Sequence, residues 1–166
     1  RDVLGSWQSD IQFIRSALDK AQAVDIVSFD IFDTVLTRLL DSPVDVFAEV
    51  ERRLTSQFNA EADGFALARE DAERAARIHH GNFGAEDITF DEIYEHFALL
   101  WKGNPQIVAE GRQLELAVET ELLVAVPDTL ALIAELRRRE IPFMFVSDMY
   151  LPVAFVAERL VENGFA

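Results

Sequence analysis

The chain has no cysteine. That excludes disulfide cross-links and thiolate metal centres, and it fits a cytoplasmic protein. Positive charge is scarce too: 15 Lys and Arg stand against 30 Asp and Glu, for a formal net charge of −15. Nucleic acids and anionic membranes are bound largely by cations that neutralise phosphates, so most of this surface would repel both. Nothing approaches the run of about 18 apolar residues that a membrane span needs. The opening residues, Arg1-Asp2-Val3-Leu4-Gly5-Ser6, lack a signal peptide's apolar core and an initiator Met. The sequence is therefore expected to come from a longer protein. Neither a glycine-rich phosphate loop nor a Gly-x-Ser-x-Gly elbow occurs. Histidine is limited to His79, His80 and His96. Adjacent helical residues point about 100° apart, and zinc needs three or four convergent ligands. No zinc site is expected, and the three histidines read as residues of the surface or of the helical segment between the two strands.

What is present is apolar substance, half of the residues, in a length that suits one domain or a core with an insert. The organising stretch is Val27-Ser28-Phe29-Asp30-Ile31-Phe32-Asp33-Thr34-Val35-Leu36. Its apolar run, starting at Ile26, reads as a buried strand that ends in an acidic loop. A second apolar run, Ile141-Pro142-Phe143-Met144-Phe145-Val146, ends at Ser147-Asp148 and follows a helical pattern, as in a βαβ unit. In open parallel sheets, ligands bind beyond the carboxyl ends of the strands, which is where Asp30 and Ser147 would stand. The plain alternative is that Asp30 only caps a turn.

The rest reads as helix. Residues 6–23 carry Trp7, Ile11, Ile14, Ala17 and Leu18 at helical spacing, with Trp7 as a packing residue. Ser42-Pro43-Val44-Asp45 opens a helix that turns Val46, Phe47, Val50 and Leu54 to one side. A second helix spans 65–79, with Glu70 and Arg74 at pairing distance. Gly81-Asn82-Phe83-Gly84 reads as a loop. Thr89 and Glu92 form a capping box before Ile93, Phe97, Leu100 and Trp101, and Gly103 closes that helix. A fourth helix follows Pro105 and carries Ile107, Val108, Leu114, Val118 and Leu122. Pro127-Asp128 opens the next, with Leu130, Ile133, Ala134 and Leu136 inward. Arg137-Arg138-Arg139 suits the end of its dipole better than it suits a phosphate site. Residues 152–163 form a last helix, ended by Gly164.

Asp30-Ile31-Phe32-Asp33-Thr34-Val35-Leu36, followed in order by a strand ending at Ser147, resembles the first two motifs of the haloacid dehalogenase (HAD) superfamily of hydrolases. The wording Ser147-Asp148-Met149-Tyr150-Leu151-Pro152 is similar to a bacterial branch whose members accompany glycosyltransferase domains in surface-polysaccharide proteins. The resemblance implies an α/β fold: a partial Rossmann-like parallel sheet over 1–40 and 125–166, with a four-helix cap inserted at 41–124. It implies Asp30 as nucleophile, forming a covalent aspartyl ester. Ser147 would bind the transferring group, Thr34 would fix the motif loop, and Asp148 would cap the next helix or line the site. The implied substrate is a small phosphorylated or halogenated molecule. Sliding the register to make Asp33 the nucleophile would misplace Thr34.

Two departures qualify the resemblance. Phe32 stands where the superfamily's phosphatases carry a general acid, as in its dehalogenases, whose halide needs no proton. The third motif and the acidic fourth motif, which would follow the second, do not occur before Ala166. Magnesium, implied for a full-length enzyme, would use Asp30 and the main-chain carbonyl of Phe32 together with that fourth motif. This stretch is expected to bind none and to be inactive by itself. Three readings stay open: a hydrolase domain; an inactive HAD-like module acting in regulation or interaction, beside a glycosyltransferase for example; and an unrelated helical protein with two chance strands. Two exposed strand edges also make self-association an expectation.

Overall fold

The computed structural model describes residues 10–40, 42, 44–82 and 87–165. Trp7, Pro43 and the Phe83-Gly84 part of the expected loop lie outside them. The elements run α1 (Ile11–Ala21), β1 (Val27–Asp30), β2 (Leu36–Arg38), α2 (Val44–Phe58), a 3₁₀ turn (Asn59–Ala62), α3 (Phe65–Asn82), α4 (Phe90–Leu100), α5 (Pro105–Leu122), β3 (Leu123–Ala125), α6 (Pro127–Arg138), β4 (Phe143–Val146) and α7 (Val153–Glu162). The protein is thus a helix-dominated α/β chain. Its strands form two small sheets, β1 with β4 in parallel and β2 with β3. The short β2 and β3 were not anticipated. No helix among the described residues is long and apolar enough to cross a membrane.

Contacts divide the chain into two compact units. The first comprises Arg1–Thr37, Val124–Ser147 and Leu160–Ala166. Its parallel pair runs in the register Val27↔Phe143, Ser28↔Met144, Phe29↔Phe145 and Asp30↔Val146. Alternation sends Phe29, Phe143 and Phe145 to one face, where Phe29 meets the other two rings at 6.3 and 6.4 Å. Phe165 packs on Phe145 at 6.1 Å. The opposite face presents Ser28, Met144 and Val146 to solvent. Asp10 caps α1 by accepting the amides of Gln12 and Phe13 at 2.9 and 3.0 Å. Leu18 and Ala21 are buried, whereas Ile11, which shares their helical spacing in the sequence, is 60 % exposed. On α6 the inward side is Thr129, Leu132, Ile133 and Leu136. Ala134 faces out instead, because the turn that buries Ile133 and Leu136 rotates it away. Gly164 has φ of +86°, the left-handed conformation that ends α7 without a Cβ penalty.

The second unit comprises Arg38–Leu123 and Asp148–Arg159. Ser42 and Asp45 start α2 together: Ser42 Oγ accepts from the Val44 amide at 3.4 Å, and the Asp45 carboxylate from the Ser42 amide at 3.0 Å. Val46, Phe47, Val50 and Leu54 are its buried side. The capping box at α4 is formed, with Glu92 accepting both the amide and the hydroxyl of Thr89 at 2.8 and 2.7 Å. Three details differ from expectation. Arg74 donates to Asp71 at 2.6 Å rather than to Glu70. Helix α3 continues through Gly81 and Asn82. The C-cap of α4 is Trp101 in extended conformation, not a left-handed glycine. Gly103 instead lets the chain pass the Trp101 indole, whose Nε1 would lie 2.9 Å from an added Cβ.

Candidate active site at the strand ends

Asp30 is the last residue of β1 and lies opposite Val146, the last residue of β4. Ser147 follows directly. The Ile31 amide donates to the Val146 carbonyl at 3.1 Å, so the ladder continues one residue past the end of β1. Parallel pairing thus brings the backbones of residues 30 and 147 to one edge of one sheet, and both residues are exposed.

The acidic loop is tied tightly after that point. The Ile31 carbonyl accepts the amides of Val35 and Leu36 at 2.9 and 2.8 Å, and the Asp33 amide donates to the Leu36 carbonyl at 2.7 Å. Asp33 has φ of +59°, a left-handed position that a short polar side chain tolerates. Its Oδ1 accepts from the Thr37 hydroxyl at 3.3 Å. Thr34 is exposed and joins the scaffold through its main chain: its carbonyl accepts the buried Thr129 hydroxyl at 2.6 Å. The Val35 carbonyl accepts the Val126 amide at 2.9 Å. Strand end and loop are therefore anchored to the start of α6, which orders the main chain around the Asp30 carboxylate.

Phe32 is buried, with 8 % exposure. The position two places after Asp30 therefore carries no group that can move a proton. For magnesium, the donors that the resemblance names are the Asp30 carboxylate and the Phe32 carbonyl. Among the described residues no three His, Asp or Glu side chains gather in ligating positions. A hard octahedral ion takes one or two carboxylates with waters and substrate phosphate. Asp30 and Phe32 offer one carboxylate and one carbonyl, and the further carboxylates that the resemblance implies would come from its fourth motif.

The three arginines 137–139 divide as helix-end charges do. Arg138 and Arg139 hold Glu135 at 2.6 and 2.7 Å. Arg137 donates to the Phe165 carbonyl and lies 5.5 Å over the Phe143 ring.

Two features of the second unit escaped the sequence reading. One is a buried ionic cluster in which Glu115 is held by Arg69 and by the Tyr94 hydroxyl, beside an Arg38–Glu119 pair. Its signal was available, since Glu115 and Glu119 fall on the apolar side of α5 with Val108, Gly111 and Val118. The other is the histidines, which come together where α3 meets α4: the His79 ring lies 5.4 Å from His96 and 6.4 Å from His80. The chain matches no family model, and no curated protein is similar enough to it to count as a relative.

Proposed function

We propose that the chain is a HAD-like hydrolase domain in which Asp30 is the nucleophile. The observation that carries this reading is the pairing of β1 and β4, which puts Asp30 and Ser147 at the carboxyl edge of one parallel sheet. Exposure leaves the Asp30 carboxylate open to a substrate. It would attack phosphorus or carbon, the leaving group would depart with the bonding pair, and water would hydrolyse the ester. Ser147 would donate to the transferring group as charge develops there. Thr34 would hold the motif loop. In this reading the α2–α5 segment is the cap insert of a Rossmann-like core. Magnesium is proposed only for a protein that supplies further carboxylates.

Phe32 narrows the substrate. With no acid at that position, a leaving group that departs unprotonated is favoured: a halide or an activated phosphate ester. The same residue supports a second reading, a module that keeps the strand pair and serves as an interaction surface.

The test is turnover by the protein that carries this chain. The substrates are p-nitrophenyl phosphate, an alkyl phosphate and a 2-halocarboxylate, each with and without magnesium. The expected result is turnover of a substrate with a good leaving group, lost in Asp30→Asn, with an aspartyl adduct trapped at residue 30. A protein inert towards all three, or equally active as Asp30→Asn, overturns the hydrolase reading and favours the module.

A further inference from the structure

Within the first unit a groove of about 390 Å³ opens beside β1. Small-molecule sites span about 300–1,000 Å³ and are mostly apolar, with a few polar groups that fix the ligand's orientation. The sequence builds this groove from three elements. Phe13, Ala17, Lys20 and Ala21 recur at i, i+4, i+7 and i+8, so α1 turns one continuous side to it. Leu132 and Leu136, one turn apart on α6, and Phe29 of β1 add buried apolar surface. At the same place Phe13, Val24 and Ile26 are exposed. Apolar side chains gathered in a concavity and left open to water mark a binding surface. The polar members of the lining are Lys20 and Ser28. Lys20 is one of two lysines in a chain with twice as many acids as bases. Its ammonium nevertheless has no ion-pair partner among the described residues, and neither Asp19 nor Asp25 lines the groove.

We propose that this groove binds a small amphipathic carboxylate, with its alkyl chain along Phe29, Leu132 and Leu136 and its headgroup on Lys20. The apolar lining fixes the body of the ligand, because covering it removes hydrocarbon from water on both sides. The lone cation fixes the sign of the headgroup. The rest of the surface argues the other way: at a net charge of −15 it repels carboxylates and attracts amines. A preference for the carboxylate therefore has to come from the groove itself. Asp30 and Ser147 do not line it, so the site is separate from the strand ends and does not depend on the hydrolase reading.

Calorimetric titration of the protein that carries this chain tests this, with hexanoate, octanoate and decanoate as probes and decylamine as the opposite headgroup. The expected result is one carboxylate per chain, bound about fourfold more tightly for each added methylene that is buried, with decanoate preferred over decylamine. Lys20→Gln, a change at an exposed position, should weaken decanoate about two- to fivefold, the range of an exposed ion pair, and should not weaken decylamine. NMR of the unsubstituted protein gives a reading that no folding defect can confuse: decanoate methylenes should show Overhauser contacts to the methyl groups of Ile26, Leu132 and Leu136. No uptake, the result if another segment of the protein or a second copy fills the groove, overturns the proposal. So do decylamine bound as tightly as decanoate, a Lys20→Gln protein with unchanged decanoate affinity, and Overhauser contacts to other methyl groups only.

Discussion

Arg69 and Glu115 are both fully buried and face each other in a two-pronged ion pair, with Nε to Oε2 and Nη2 to Oε1 each at 2.8 Å. The Tyr94 hydroxyl adds a third bond to Glu115 at 2.7 Å. The guanidinium also lies over the rings of Phe47, Tyr150 and Tyr94, at 4.5, 5.2 and 5.5 Å. Burial raises the Glu115 carboxyl, and Arg69 opposes that rise. Burial, reinforced by the Glu115 charge, lifts the Tyr94 phenol well above its ordinary value, so it stays a donor. Helices α3, α4 and α5 and the Tyr150 segment thus share one polar centre.

Removing Arg69 leaves the Glu115 charge buried without a cation, and removing Glu115 leaves the buried Arg69 only its longer pair with the half-buried Glu73 at 3.3 Å. Arg69→Met or Glu115→Leu alone should cost about 3–5 kcal/mol of stability. The double variant Arg69→Met/Glu115→Leu should recover much of it, because two apolar groups need no partner. Urea denaturation of the four proteins checks this. Losses that add up instead would mean that the two side chains do not stabilise each other.

The α4 cap makes acid stability a second readout. Hydrogen bonds from the Thr89 hydroxyl and amide, then the bond to His80, bring the Glu92 carboxyl from 4.5 down to about 2. A carboxyl lowered on folding contributes stability that is present above its unfolded value and lost as the pH falls through its folded one. The stability gap between the wild type and Glu92→Gln should therefore be full above pH 5 and close between about 4.5 and 2. Thr89→Ala should cost about 1 kcal/mol near neutral pH. Denaturation curves at pH 7, 4 and 2.5 decide it, and a gap that does not change with pH would remove the charge from the account.

Asp30 invites the opposite expectation. Its side chain is exposed at a strand end. Asp30→Asn should thus change stability by no more than about 0.5 kcal/mol, as exposed substitutions do. Any loss of turnover in that variant then reflects chemistry and not unfolding. A fall in melting temperature of many degrees would give Asp30 a structural role in the loop.

How much of this was legible follows from what each residue advertises. The strand of Asp30, the strand of Ser147 and the capping box of Thr89 and Glu92 announce themselves through local pattern and are found at their expected places. Glu115 announces less: its place among the apolar positions of α5 marks it as buried, but nothing local names Arg69 as the partner that faces it. The inclusion of 148–159 in the helical unit is equally silent. It rests on nonlocal contacts such as the Phe90 amide on the Tyr150 carbonyl at 2.8 Å and the stacking of those two rings at 6.4 Å. The histidines illustrate the same limit: sequence separates His79 from His96, and only the packing of α3 on α4 brings the rings together. Thr34 shows it on a smaller scale, since its tie to α6 runs through a carbonyl that every residue has.

Gly111 gives the sharpest packing test. It is buried on α5, and a Cβ added there would lie 2.3 Å from both Cε2 and Cζ of Phe65. That ring cannot easily yield, because Phe97 packs on it at 4.9 Å and Trp101 at 6.4 Å. Two effects oppose each other in Gly111→Ala. Helix propensity favours alanine by about 1 kcal/mol, whereas forcing a methyl into a packed core costs about 1–3 kcal/mol. With a rigid aromatic as the obstacle, the second should win and the variant should be less stable. Replacing the obstacle reverses the sign: in a Phe65→Leu background the added methyl meets a side chain that can move, and Gly111→Ala should become neutral or stabilising. Urea denaturation of this cycle reads the coupling directly. A Gly111→Ala protein as stable as the wild type with Phe65 in place would show that the approach of α5 to the Phe65 ring is looser than the structure has it.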